Sequence, residues 1–138
     1  MVMKPSLILS IYGISVLVFF LVDMIWLGLI ASNFYRSQLG SLLTSSFNWP
    51  VAIAFYLLFL IGLSVFVIVP AIDHRSIMYA VLYGALFGFF TYATYDLTNW
   101  ATLRDWPALL SIVDMCWGAM LSATVSAMTT FIALKFLL

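Results

Sequence analysis

The stretch IMYAVLYGALFGFFTYATYDLTNWATL, from Ile77 to Leu103, decides the fold of this chain. It is longer than the roughly 20 apolar residues that a helix needs to cross ~30 Å of hydrocarbon. Lipid offers no partners to backbone N–H and C=O groups, so a spanning segment must be a helix or part of a closed barrel. A barrel strand would be shorter and would alternate polar and apolar residues. The stretch therefore predicts a transmembrane helix, and its one charged residue is Asp96.

Three more apolar runs of similar length lie in the rest of the chain. They extend from about Leu7 to Ala31, from Pro50 to Ile72 and from Pro107 to about Phe136. Short polar turns separate the last three runs, and residues 32–49 form a longer predicted loop. We expect an all-α polytopic membrane protein. Its single domain, residues 1–138, would be a four-transmembrane-helix bundle with both termini on the same side.

The composition agrees with lipid as the solvent. Of the 138 residues, 66% are hydrophobic and 7% are charged, whereas a soluble domain has about 25% charged residues. So small a protein could not hide this much apolar surface from water. Basic and acidic residues are equal in number, five each. This balance gives no basic patch for nucleic acid, and no nucleic-acid partner is expected.

The basic residues give a weak orientation signal. With four spans, Lys4, Arg75 and Lys135 lie on the side of the termini, and Arg36 and Arg104 lie on the other. Cytoplasmic loops carry an excess of Lys and Arg. The count therefore favours cytoplasmic termini.

Three aspartates fall inside the apolar runs, and an ionisable residue inside a membrane is a functional-site hypothesis by default. At 1.5 Å per residue, Asp23 lies roughly 12 Å below the face that Ala31 reaches, and Asp96 and Asp114 lie roughly 10 Å below the same face. A lone central aspartate costs about 2.5–3.5 kcal/mol on insertion scales. We therefore expect the three carboxyl groups to meet in one shielded group.

Aromatic and polar residues recur beside these acids. Each aspartate has a tryptophan three or four residues further along its helix, which places both on one face. We expect Asn99 and Tyr95 to orient the carboxyl groups. The expected walls of the pocket are Trp26, Trp100, Trp117 and Tyr92.

Small residues predict which helices meet. Gly84 and Gly88 form a GxxxG pattern in the third span, and Gly118 and Ser122 continue a small face in the fourth. Such faces allow close backbone approach in membranes. The third and fourth spans are therefore expected to be tight neighbours, which would bring Asp96 towards Asp114.

Apart from Lys135, at the far end of the fourth run on the side of the termini, the apolar runs contain no Lys or Arg, so no cation lies near the acids to neutralise them. The group must then be partly protonated, hydrated or occupied by a cation. The runs also contain no His, and the sequence has no Gly-rich phosphate loop. Familiar Ser–His, metal–His and Schiff-base chemistry therefore have no candidates, and no resident metal or other cofactor is expected. Helix packing by neutral, hydrogen-bonded acids is the alternative without a functional site.

The string Tyr95–Asn99 (YDLTN), the Asp114-x-x-Trp117-Gly118 pattern and Pro70 near the end of the second span resemble a known family. It is a family of small four-span bacterial membrane proteins catalogued as domain of unknown function 2177. The resemblance covers nearly the whole chain. It implies four helices and the bacterial inner membrane, and it brings no activity with it.

Three functions are compatible with the sequence. The first is binding or translocation of protons, or of a small cationic or polar solute, at the acidic group. The second is an accessory or structural subunit of a larger membrane complex. The third is a lipid-modifying enzyme that uses the aspartates and a divalent metal. Membrane lipid is the expected surrounding, and a transporter built from four helices would need to be a homo-oligomer or part of a larger complex.

Overall fold

The computed structural model describes residues 3–138, and within them it contains helices and no strands. Four of the helical segments are long and apolar enough to cross a membrane. The prediction of an all-α protein with four spanning helices is confirmed. The side of the membrane on which the termini lie stays a prediction.

Three of the four spans contain a π-helical segment. The first span consists of α1 (Pro5–Ile25), a π segment (Trp26–Ala31), α2 (Ser32–Leu39) and a 3₁₀ turn (Gly40–Leu42). The second consists of α3 (Trp49–Leu63), a π segment (Ser64–Ile68) and α4 (Val69–Asp73). The third is α5 (Ile77–Thr102), and the fourth is α6 (Ala108–Ile132) with a π segment (Ala133–Leu137).

The prediction that the first helix ends at Ala31 was wrong, and so was the prediction of a loop for residues 32–39, which are helical. The helix continues through Leu39, because no Gly or Pro interrupts residues 32–39. It ends at Gly40, whose φ of +48° is a conformation that favours glycine. This extension carries Tyr35 onto the bundle.

The helix starts follow from local sequence. The Asn48 side chain accepts a hydrogen bond from the backbone N–H of Val51, and that of Ser76 accepts one from Tyr79. Both are N-caps that satisfy donors left free at a helix start. Residues 103–107 connect α5 to α6 in a tight turn, with Asp105 at φ +56°.

The α5–α6 interface is the most extensive contact between two helices of the described chain. A separate apolar core lies between α1, the second span and α6. Its most buried members are Ile11, Phe19, Leu60, Leu63, Ile68, Ile72, Leu121 and Val125. The α5–α6 pair fixes the positions of two aspartates, and α1 adds the third.

Candidate functional site

Asp96 and Asp114 lie next to each other across the α5–α6 interface. Asp96 is fully buried, and neither of its carboxyl oxygens has a hydrogen-bond partner within residues 3–138. The Ser111 hydroxyl donates to the backbone carbonyl of Asp96 at 3.4 Å, so it does not satisfy the carboxyl group. A buried carboxyl group without donors is costly. The carboxyl group of Asp114 and the side chain of Ser111 are the polar groups beside that carboxyl group.

The helix contact that creates this pair depends on glycine. A Cβ atom added to Gly88 would overlap the carbonyl oxygen of Gly118, and one added to Gly118 would overlap the Tyr92 ring. A Cβ at Gly84 would lie 2.8 Å from the carbonyl oxygen of Ser122. Only residues without a side chain allow the two backbones to approach so closely. The small residues identified in the sequence are those at the α5–α6 contact.

Tyr35 is the residue that sequence reasoning missed. Its hydroxyl group donates a hydrogen bond to Oδ1 of Asp114 and accepts one from the indole Nε1–H of Trp26 at 3.4 Å. Sequence reasoning placed Tyr35 in a loop, so no face or depth was assigned to it. Its signal would have been the absence of helix breakers between Ala31 and Gly40.

Asp23 completes the acidic group from the first span. It is 7% exposed, lies within electrostatic range of Asp114 and is close to the Trp117 indole. The rings of Trp26 and Trp117 stack in parallel, with centroids 4.3 Å apart and planes 8° apart. The Asp-x-x-Trp spacing in the first and fourth spans thus brings two acids and two indoles together. We call Asp23, Asp96 and Asp114 the acidic group.

Two other predicted site residues, Tyr92 and Tyr95, differ in how deeply they are buried. Tyr92 is largely buried, packs on the apolar core and lies within electrostatic range of Asp23 and Asp114. Tyr95 lies near Asp96 and Asn99, but its ring is more than half exposed and meets Trp106 edge-on at 5.9 Å.

Two expected features of the pocket wall differ from the structure. Trp100 is 46% exposed, and it does not line the cavity beside Trp26 and Trp117. That cavity has a volume of about 280 Å³. Its lining residues are apolar apart from Thr124 and the Trp indoles, and none is an aspartate. The two indoles line the cavity and also contact the side of the acidic group, Trp117 beside Asp23 and Trp26 through Tyr35.

The arrangement of these side chains also decides whether a metal ion could bind. Within residues 3–138, no three His, Cys, Asp or Glu side chains are arranged to hold a metal ion. Cys116 is exposed.

The contact of Tyr35 with Asp114 gives a testable prediction. Tyr35→Phe removes the hydroxyl group that links Trp26 to Asp114. We expect a loss of about 1.5–3 kcal/mol in the free energy of unfolding, the usual value for a hydrogen bond to a charged group. Tyr83→Phe is the matched control, because Tyr83 is half exposed and stacks on Tyr79. Equal unfolding free energies for the two variants in detergent would contradict the assigned contact.

Comparison with known proteins identifies the family to which the chain belongs. The comparisons with curated proteins and with solved structures gave no match. One family model, described as "Predicted membrane protein (DUF2177)", matches residues 8–131. That range includes the acidic group, Tyr35 and all the glycines of the α5–α6 contact. The chain therefore belongs to the DUF2177 family of membrane proteins.

Proposed function

We propose that this membrane protein binds and translocates protons at the acidic group. The observation that carries the proposal is the fully buried carboxyl group of Asp96, which has no donor within the described residues and lies beside Asp114. Two adjacent carboxylates without a cationic partner repel each other. One proton shared between them removes the repulsion and gives Asp96 a partner. Such a pair takes up and releases protons as a coupled unit.

The first span offers protons a way to reach the acidic group. Asp114 is only partly buried, and its contact with Tyr35 connects it to α2, near the end of that span. A tyrosine hydroxyl is both a donor and an acceptor. Tyr35 therefore offers a proton route from the α2 side.

The same proposal includes a location and an orientation. We place the protein in the bacterial inner membrane, as the family resemblance implies, and both termini in the cytoplasm, as the distribution of its basic residues favours. The α2 side would then face outward. Four helices enclose little space between them, so a conducting form would be a homo-oligomer or part of a larger membrane complex.

Proton flux into lipid vesicles tests the proposal. The purified protein is reconstituted with a pH-sensitive dye inside the vesicles, and a potassium diffusion potential drives the flux. We expect acidification well above that of protein-free vesicles. Infrared difference spectra between acidic and neutral buffer should show a carboxylic-acid band that the Asp96→Asn variant lacks. The absence of both signals would refute the proposal.

The same vesicles separate protons from other cations. Replacing sodium by a large organic cation should leave the proton flux unchanged. Uptake of labelled sodium or a small ammonium ion at a rate that exceeds proton flux would instead favour a solute site. Recovery of a stoichiometric protein partner in mild detergent, without any flux, would favour an accessory subunit.

A further inference from the structure

A line of buried hydroxyl groups leads away from the acidic group along α6. Ser122, Ser126, Thr129 and Thr130 are fully buried, and their hydroxyl oxygens have no hydrogen-bond partner within residues 3–138. Buried polar side chains nearly always have partners. Four unpartnered hydroxyl groups on one helix are therefore an unusual feature. We call these four residues the hydroxyl file.

The hydroxyl file continues the side of α6 on which Asp114 lies. From Asp114, the four-residue steps along the helix pass Gly118 and reach Ser122, Ser126 and Thr130. At 1.5 Å per residue, Asp114 and Thr130 are separated by roughly 24 Å along the helix axis. This distance is most of the ~30 Å of a bilayer's hydrocarbon core.

Two glycines of α5, Gly84 and Gly88, face the hydroxyl file, so this strip of the helix has no side chains. We call this strip the lane. A Cβ added to Gly84 would lie 2.9 Å from Oγ of Ser126, and one added to Gly88 would lie 2.5 Å from Oγ of Ser122. Ala80 continues the buried side of α5 in the same direction. In the other direction the lane ends at Tyr92, which packs on Gly118 beside the acidic group.

Hydroxyl groups suit proton relay because each one donates and accepts hydrogen bonds. The four-residue steps from Ser122 to Ser126 and from Ser126 to Thr130 each span about 6 Å along the axis, and the eight residues from Asp114 to Ser122 span about 12 Å. One bridging water fits each gap within the file, and a short chain of waters beside Gly118 would join Ser122 to Asp114. In each step a hydroxyl oxygen accepts a proton from one side and releases its own proton to the other. No O–H bond is therefore gained or lost overall.

Because α5 and α6 touch closely at their glycines, the bridging waters have no room beside the hydroxyl file in this structure. Water can enter only if α5 and α6 separate slightly. Gly84 and Gly88 have no side chains to withdraw from the facing helix, so only the backbone contact has to loosen. The α5–α6 seam therefore has the properties of a gate.

We infer that the hydroxyl file relays protons between the acidic group and the C-terminal end of α6. This inference rests on the proposed function and adds the second half of the route. The α2 side and Tyr35 would serve one face of the membrane, and the hydroxyl file would serve the other.

Removing the hydroxyl groups tests the relay. The double variant Ser122→Ala, Ser126→Ala and the single variant Thr130→Val change little volume in the seam. We expect each to lower proton flux in vesicles by about tenfold, which corresponds to about 1.4 kcal/mol, the upper part of the net value of one hydrogen bond, here the bond to a bridging water. The pH-dependent carboxylic-acid band should remain. Thr124→Val is the control, because Thr124 is on the same helix and its hydroxyl donates to the Met120 carbonyl at 2.8 Å.

A purely structural role gives a different pattern. Removing an unpartnered buried hydroxyl group should then raise thermal stability and leave flux unchanged, and this result would overturn the relay. If the variants keep both the carboxylic-acid band and full flux, protons use another route and the proposed function survives. If wild-type protein shows neither, both the proposed function and the relay fail.

Discussion

Replacing Asp114 with asparagine is expected to abolish proton flux in reconstituted vesicles. Asp114 links all parts of the site, because it interacts with Asp23, Asp96 and Tyr35. Asparagine has nearly the same shape, but its amide cannot take up and release a proton at neutral pH. Proton-transfer groups typically contribute about 10²–10⁴-fold to rates. We expect a loss of that size, and the flux of the variant should fall to the leak of protein-free vesicles.

The fold should survive this substitution. The asparagine amide can donate a hydrogen bond to Asp96, whose carboxyl oxygens lack donors within the described residues. Monodispersity and helical circular dichroism should therefore match the wild type. Asp105→Asn is the matched control: Asp105 lies in the turn after α5 at φ +56°, a conformation that asparagine also tolerates. Wild-type flux in Asp114→Asn would exclude the acidic group as the proton site.

Replacing Gly88 with alanine is expected to destabilise the bundle more than any other single-methyl change. The added Cβ would overlap the carbonyl oxygen of Gly118, which is backbone and cannot rotate away. The two helices would have to move apart along their most extensive contact. Overpacking typically costs about 1–3 kcal/mol, and we expect the upper part of that range for Gly88→Ala. The free energy of unfolding, measured by titration with a denaturing detergent, is the readout.

Gly13 gives the control for this experiment. It is also a helical glycine, and a Cβ there would meet no atom within 4 Å. Gly13→Ala should leave stability unchanged or raise it by about 0.5–1 kcal/mol, since alanine loses less backbone entropy in a helix. If both variants unfold at the same detergent fraction, the close contact of α5 with α6 does not hold the bundle together.

Hydropathy was sufficient to predict the helices, because a spanning segment must satisfy its own backbone. It was insufficient to predict where the first helix ends. The residues from Ser32 to Leu39 are polar enough for a loop, and only their contacts with the bundle and the lack of a breaker before Gly40 favour a helix. Tyr35 was missed for that reason.

The site could be predicted only where it depends on helix period and small residues. The spacing of Asp23 from Trp26 and of Asp114 from Trp117 places both indoles on the acidic faces, and the two rings stack. The outward position of Trp100 could not be read from its spacing to Asp96, because it depends on how α5 is rotated against its neighbours. The missing partners of the Ser122 and Ser126 hydroxyls are likewise a property of packing.

The tight turn at residues 103–107 has a consequence for how the chain enters the bilayer during synthesis. So short a connection lets α5 and α6 partition into lipid as one helical hairpin, already joined through Gly84 and Gly88. Asp96 and Asp114 would then cross the translocon together, each shielding the other from hydrocarbon. Lengthening this turn should delay pairing, expose each acid singly and lower the yield of inserted protein.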